Sequence, residues 1–130
     1  MSFENEFKIW LLKGLREPIA SEVEAFCFNL VEYAETSEYK FGIELIGASD
    51  FDEDSFDWAC DEVWEPTTRS IVIPKNFSGS RWQECLTNTK TLVQNCLDTL
   101  QEASILKSKQ GVGIGFVDGD LEVVWQPTSP

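Results

Sequence analysis

The residues best suited to chemistry in this sequence are the carboxylates between Lys40 and Arg69. No basic residue lies between these two positions, but the interval holds nine acidic side chains: Glu44, Asp50, Asp52, Glu53, Asp54, Asp57, Asp61, Glu62 and Glu65. Carboxylates can transfer protons, ligate cations or attract a positively charged partner. Because crowded like charges destabilise a compact state, we expect a folded protein that keeps this run to use it.

The acidic run begins with a spacing typical of calcium sites. Asp50, Asp52 and Asp54 match D-x-D-x-D, the start of an EF-hand loop. The rest of that loop does not fit, since its sixth position is Ser55 rather than glycine and its twelfth is Asp61 rather than glutamate. A divalent-cation (calcium) binding module on residues 50–61 is therefore an alternative prediction, and weak cation binding is favoured over a specific site.

Other catalytic or metal-binding groups are scarce. The chain has no histidine, which excludes Ser-His-Asp and Cys-His arrangements. Its four cysteines, Cys27, Cys60, Cys85 and Cys96, form no C-x-x-C pair, and the last two are roughly 16 Å apart if residues 80–103 are helical. We predict buried thiols, no cofactor and no catalytic residues. Crowded carboxylates leave a carboxylate-based enzyme as a further alternative.

Aromatic residues interrupt the acidic run. We expect Phe56 and Trp58 to hold this segment against the rest of the protein. We expect Trp64 to be exposed as an interface anchor, since a tryptophan ringed by polar groups is typical of binding hot spots. The predicted partner-binding residues are Asp50, Asp52, Glu53, Asp54, Asp57, Asp61, Glu62 and Trp64. Such carboxylates would attract a basic protein.

The charge of the chain restricts its partners. The net charge is −13, and the whole excess lies in residues 1–65, which carry 17 acidic and 4 basic side chains. Nucleic acid and anionic membranes require cationic surfaces, so we predict neither as a partner. The chain opens with acidic residues where a secretory signal would be basic, and no segment approaches the roughly 20 apolar residues of a membrane span. We therefore predict a cytoplasmic protein.

The elements that position these residues are predicted from apolar spacing. Helical periodicity predicts helices at residues 3–16 and 80–103, the second with an apolar face that runs from Trp82 to Ala103. Residues 23–33 fit either a helix or a strand, and their alternating aromatics favour a strand, paired in a hairpin with residues 41–45. Residues 70–73 are predicted as a third strand.

A second hairpin is predicted near the C-terminus. Its strands are residues 111–117 and 121–125, joined by a tight turn at Asp118-Gly119-Asp120. Glycines 111, 113 and 115 are expected to allow close packing. The order α-β-β-loop-β-α-β-β predicts an α+β fold, an antiparallel sheet of about five strands covered on one face by two helices. We expect one domain, residues 1–126, with a frayed tail at 127–130.

Several segments resemble a family of small, uncharacterised, acidic bacterial domains. They are Phe26-Cys27-Phe28-Asn29-Leu30, Phe51-Asp52-Glu53-Asp54, Asp57-Trp58-Ala59-Cys60-Asp61-Glu62 and Gly115-Phe116-Val117-Asp118-Gly119-Asp120-Leu121-Glu122. The similarity runs from about residue 7 to Trp125. In size, acidity and α+β character, such domains are similar to the immunity proteins that neutralise toxins of bacterial polymorphic toxin systems. The resemblance implies a non-enzymatic domain that binds a basic toxin, and it implies no catalytic residues.

Overall fold

An open, mostly antiparallel sheet carries helices on one face in the computed structural model, which describes residues 2–55, 57–117 and 119–127. The strands are β1 (Ala25–Glu32), β2 (Tyr39–Ala48), β3 (Glu62–Trp64), β4 (Ser70–Pro74), β5 (Val112–Phe116) and β6 (Glu122–Trp125). The α-helices are α1 (Phe3–Leu15), α2 (Lys75–Ser78) and α3 (Trp82–Thr99), and 3-10 turns cover Asp57–Cys60 and Gln101–Ser108. The predicted α+β class is confirmed.

The strand order is β3-β2-β1-β5-β6, and β4 also pairs with β2. The ten residues of β2 are long enough to accept β3 near Ala48 and β4 between Tyr39 and Glu44. β1 and β2 form the predicted antiparallel hairpin, with Phe28 opposite Leu45. The strand interpretation of residues 23–33 is therefore confirmed.

The sheet is not wholly antiparallel, which corrects one prediction. β5 lies beside β1 and runs parallel to it, with Phe26 opposite Val112 and Phe28 opposite Ile114. Parallel neighbours need a long connection rather than a tight turn, and here the chain returns through the helices between β4 and β5. The C-terminal hairpin of β5 and β6 forms as predicted, although Asp118 of its turn lies outside the described residues.

Two further predictions about the elements need correction. The segment between the first hairpin and β4 is not only a loop, because β3 forms within it. The predicted helix at 80–103 ends at Thr99, since Leu100 adopts an extended conformation. The 3-10 segment that follows buries Ala103 and Leu106. The predicted frayed tail falls largely on residues 128–130, which are outside the described part of the chain.

The main hydrophobic core lies between the sheet and the helices. Phe26, Phe28 and Leu30 point to the same side of β1 and are fully buried. They pack with Phe7 of α1 and with apolar residues of α3, as the helical spacing predicted. Ser2 caps α1 by accepting the Asn5 N–H at 3.3 Å. Among the described residues, no helix combines the length and apolar character needed to cross a membrane.

Candidate functional site

The acidic loop, residues 50–61 without the undescribed Phe56, covers the sheet on the face opposite the helices. Trp58 is 2% exposed and forms a second buried cluster with Ala25, Cys27, Ile46 and Ala48. The ring of Phe51 packs against Trp58 with 5.2 Å between centroids. The prediction that aromatics hold this segment is confirmed for Trp58, whereas Phe56 is outside the described residues.

Glycines at and beside β5 form the seat for these two rings. A Cβ atom on Gly111 would collide with the ring of Phe51. A Cβ atom on Gly113 would lie 2.9 Å from Cζ2 of Trp58. Real Cβ atoms do not approach heavy atoms this closely, so both positions need glycine for the loop to sit where it does. The glycine spacing predicted close packing at these positions, but it did not predict that the aromatic rings of the acidic loop would pack there.

Several polar side chains of the acidic loop bond to its own backbone. Asp50 accepts the Phe51 N–H at 2.8 Å, and Asp52 accepts the Asp54 N–H at 2.9 Å. The hydroxyl of Ser55 accepts the N–H of Asp57 at 3.2 Å. These local turns are typical of short polar side chains and order the loop between its aromatic contacts.

The loop presents its carboxylates to solvent. Seven of the eight predicted partner-binding residues are exposed, and six of them lie on this loop: Asp50, Asp52, Glu53, Asp54, Asp57 and Asp61. Within the described ranges, none of the six lies within 4.0 Å of a basic side chain. Glu53 instead accepts a hydrogen bond from the amide of Gln126 at 2.9 Å. The field of these charges is therefore not cancelled by an adjacent cation of the described chain.

Glu62 belongs to a different electrostatic environment. Arg69, although distant from most of the acidic run in sequence, forms ion pairs with Glu44, Glu62 and Glu65 at 3.0, 2.5 and 2.5 Å. Hydrogen bonds to Glu62, Glu65 and Glu44 raise the pKa of Arg69 above its ordinary value. Three of the nine carboxylates in the run therefore have a cation beside them, although the run itself contains no basic residue. Glu65 lies only four residues before Arg69, and the pairing of β4 with β2 brings Arg69 beside Glu44.

Trp64 is not the exposed anchor that the sequence predicted. Its side chain is 9% exposed, on the helix side of the sheet, where its ring meets Phe26 edge-on at 5.9 Å. Its indole N–H donates to the carbonyl oxygen of Pro18 at 2.9 Å. The prediction failed because β3 forms at this position and turns Trp64 into the core.

The exposed tryptophan is Trp82, which sequence reasoning placed on the buried face of the long helix. It is 53% exposed and lines a groove of about 800 Å³. Trp82 is the first residue of α3, where the chain has just left the short helix α2. The apolar spacing of a helix does not require its first residue to be buried, because the end of a helix can project beyond the sheet that it covers.

The cysteines do not form a reactive or metal-binding cluster in the described part of the chain. Cys27, Cys85 and Cys96 are buried and Cys60 is exposed. Burial raises the pKa of Cys27 to about 12, so its thiol stays protonated near neutral pH. Among the described residues, no group of three or more Cys, Asp or Glu side chains is arranged to hold a metal ion. The calcium module on residues 50–61 stays a prediction.

The fold and this surface define an α+β domain whose sheet is covered by helices on one face and partly by an acidic loop on the other. No family model, curated protein or solved structure matches the chain. The resemblance to bacterial immunity proteins therefore stays a prediction from the sequence.

Proposed function

We propose that this domain is a non-enzymatic binding protein whose acidic loop receives a basic protein. The observation that supports this most is the exposure of six carboxylates on a loop that two aromatic residues fix to the sheet. A loop that is only acidic would be expected to move freely. Here the contacts of Phe51 and Trp58 hold the backbone while the carboxylates face solvent.

A fixed array of like charges has two advantages for binding. Its summed field attracts an oppositely charged protein before contact and raises the association rate, in a manner that salt suppresses. Because the loop is already ordered, less conformational entropy is lost when the complex forms. The first effect favours a cationic partner, and the second stabilises the complex once it has formed.

The more specific proposal is that the partner is a toxin and that this domain is its immunity protein. Its support is the resemblance of the sequence to small acidic bacterial domains, together with the chemistry of the loop. Many enzymes that cleave nucleic acids carry cationic active sites, since their substrates are polyanions. A fixed acidic loop is suited to covering such a surface.

The experiment is affinity capture from a lysate of the source organism at low salt. The bait is the domain or a loop variant that combines Asp52→Asn, Glu53→Gln, Asp54→Asn and Asp57→Asn. These changes remove four charges but keep the side-chain oxygens with which Asp52 accepts the Asp54 N–H and Glu53 accepts the amide of Gln126. We expect the wild-type domain to retain one basic protein that the loop variant does not retain.

A second variant distinguishes the effect of the loop carboxylates from the effect of the net charge. It combines Glu4→Gln, Glu22→Gln, Glu38→Gln and Asp98→Asn, four exposed positions outside the loop. Both variants lose the same charge. If binding depends on the loop rather than on net charge, the control must still capture the basic protein. Capture that is equal for the two variants, or absent for the wild-type domain, would overturn the proposal.

The toxin assignment has its own test. The gene for the captured protein is expressed in a bacterial host with the wild-type domain or with the loop variant. We expect growth arrest from the partner alone, rescue by the wild-type domain and little rescue by the loop variant. A partner that is harmless when expressed alone contradicts the immunity role but leaves the binding role intact.

A further inference from the structure

A second candidate surface lies away from the acidic loop, where β1 and β5 end and α3 begins. It is a groove of about 800 Å³ whose walls include Val31, Leu86, Phe116 and Trp82. Trp82 and Val117 are more than half exposed. Apolar side chains left in solvent beside a concavity are typical of binding sites.

A short series of aromatic rings leads from the core to one wall of the groove. Phe41 of β2 contacts Phe116 of β5 edge-on, with 5.5 Å between the ring centroids. Phe116 in turn meets Trp82 edge-on at 6.2 Å. Since Phe41 is fully buried and Trp82 is half exposed, the series leads from the core to solvent. Its outermost ring is a tryptophan, the aromatic side chain that attracts cations most strongly.

The other groups at the groove are acidic. Glu32, Asp120 and Glu122 line it. Glu122 is paired with Lys90 at 2.8 Å and Glu32 is only loosely paired with Lys40 at 4.0 Å, whereas Asp120 has no cation within 4.0 Å among the described residues. The groove therefore combines an exposed π surface with carboxylate acceptors, which suits a cationic side chain.

The chain itself contains an example of this recognition next to the groove. The ammonium group of Lys40 lies 5.5 Å from the centroid of the Phe41 ring. It also donates to the carbonyl oxygen of Ser80 at 3.1 Å and faces Glu32. An internal cation thus already uses the buried end of the aromatic series, a carboxylate and a backbone carbonyl. The exposed end of the series offers an aromatic face and nearby carboxylates to a cation from outside.

We propose that this groove is a second binding site, which takes the side chain of an arginine or lysine from an extended cationic peptide segment. The cationic group lies against Trp82 and pairs with Asp120 and Glu32, while its methylenes contact Val31 and Phe116. The site supplies the aromatic anchor that the sequence assigned to Trp64. It does not depend on the acidic loop, because Val31 lies four residues beyond Cys27, roughly 13 Å along β1 from the cluster under the loop.

The test is a titration of the isotope-labelled domain with the capped peptide acetyl-Gly-Gly-Arg-Gly-Gly-amide, followed by NMR. The control peptide carries citrulline, the neutral isostere of arginine, in the same position. We expect the Trp82 indole signal and the amides of Glu32 and Val117 to shift with the arginine peptide only. Equal shifts with both peptides, no shift, or shifts confined to residues 50–61 would overturn the proposal.

Variants then assign the roles of the groove residues. Trp82→Ala should lower the affinity for the arginine peptide about tenfold. Trp82→Phe should lower it less than about threefold, because phenylalanine keeps an aromatic face. Asp120→Asn with Glu32→Gln should weaken it about threefold, as expected for exposed ion pairs. Asp98→Asn, an exposed change near the opposite end of α3 from Trp82, is the charge-removing control and should leave the affinity unchanged. An affinity that is indifferent to Trp82→Ala contradicts the proposed site.

Discussion

The two faces of the sheet are covered by very different structures. On one face, α1, α3 and the 3-10 segment at Gln101–Ser108 bury a continuous core with residues from every strand except β6, whose apolar side chains pack at its margin. On the other face, the acidic loop completes a separate buried cluster of five residues, in which Trp58 covers four residues of the sheet. The proposed partner surface therefore rests on a small core of its own. Changes there can alter the binding surface while the main fold persists.

The largest effect is expected from the helix face. Phe28 is fully buried between the sheet and Phe7, so Phe28→Ala should lower the free energy of unfolding by about 3–5 kcal/mol. Urea denaturation measures this loss, with Phe28→Leu as a milder control. A loss below about 1 kcal/mol would mean that the helix face is not the dominant core.

The corresponding change on the loop face should have a smaller and more local effect. Trp58→Ala should lower the free energy of unfolding by about 2–3 kcal/mol, because the cluster around Trp58 is small. Part of the loss is offset, since the variant also removes a buried indole N–H that has no hydrogen-bond partner among the described residues. Hydrogen exchange should accelerate at residues 51–60 and at Cys27, but not in α1. Uniform acceleration throughout the sheet would contradict the separation of the two cores.

A single methyl group at the seat of the loop should have an intermediate effect. Gly113→Ala places a Cβ 2.9 Å from the Trp58 ring, and relief of this overlap should cost about 1–2 kcal/mol. Gly119→Ala is the matched control, since its Cβ would meet its nearest neighbour at an ordinary 3.5 Å. Thermal unfolding compares the two variants. Equal melting temperatures would show that Trp58 does not need the glycine seat.

The smallest effect is expected at the ion-pair cluster. Arg69→Gln leaves Glu44, Glu62 and Glu65 without their shared cation, and should cost about 1 kcal/mol because Arg69 is partly exposed. Salt screens the remaining repulsion, so the loss should be smaller at roughly 0.5 M salt than at 0.02 M. Arg16→Gln, which disrupts an exposed single pair with Glu102, should cost less. A loss that is independent of salt would contradict this electrostatic explanation.

Local sequence patterns predicted the elements well where one face of an element is buried. Alternating Phe26, Phe28 and Leu30 identified β1 because the period of two matches a strand with one side in the core. The helices followed from the same logic. The parallel pairing of β5 with β1 was missed because the route of the chain between distant strands leaves no local pattern.

The candidate site was predicted in part for the same reason. The six exposed carboxylates and the anchoring role of Trp58 follow from local composition. The capture of Glu62 by Arg69, the burial of Trp64 and the exposure of Trp82 depend on which strands and helices become neighbours. Charge counting along the sequence cannot detect a cation that tertiary structure brings back to the acidic run.

The most direct test of the central claim is the rate at which the captured basic partner associates with the domain. The rate is measured as a function of salt for the wild-type domain, the four-charge loop variant and its charge-matched control. The loop proposal predicts that the loop variant associates about tenfold more slowly at low salt, while the control stays close to wild type. Equal slowing of both variants would show that bulk charge attracts the partner, and would contradict the assignment of binding to the acidic loop.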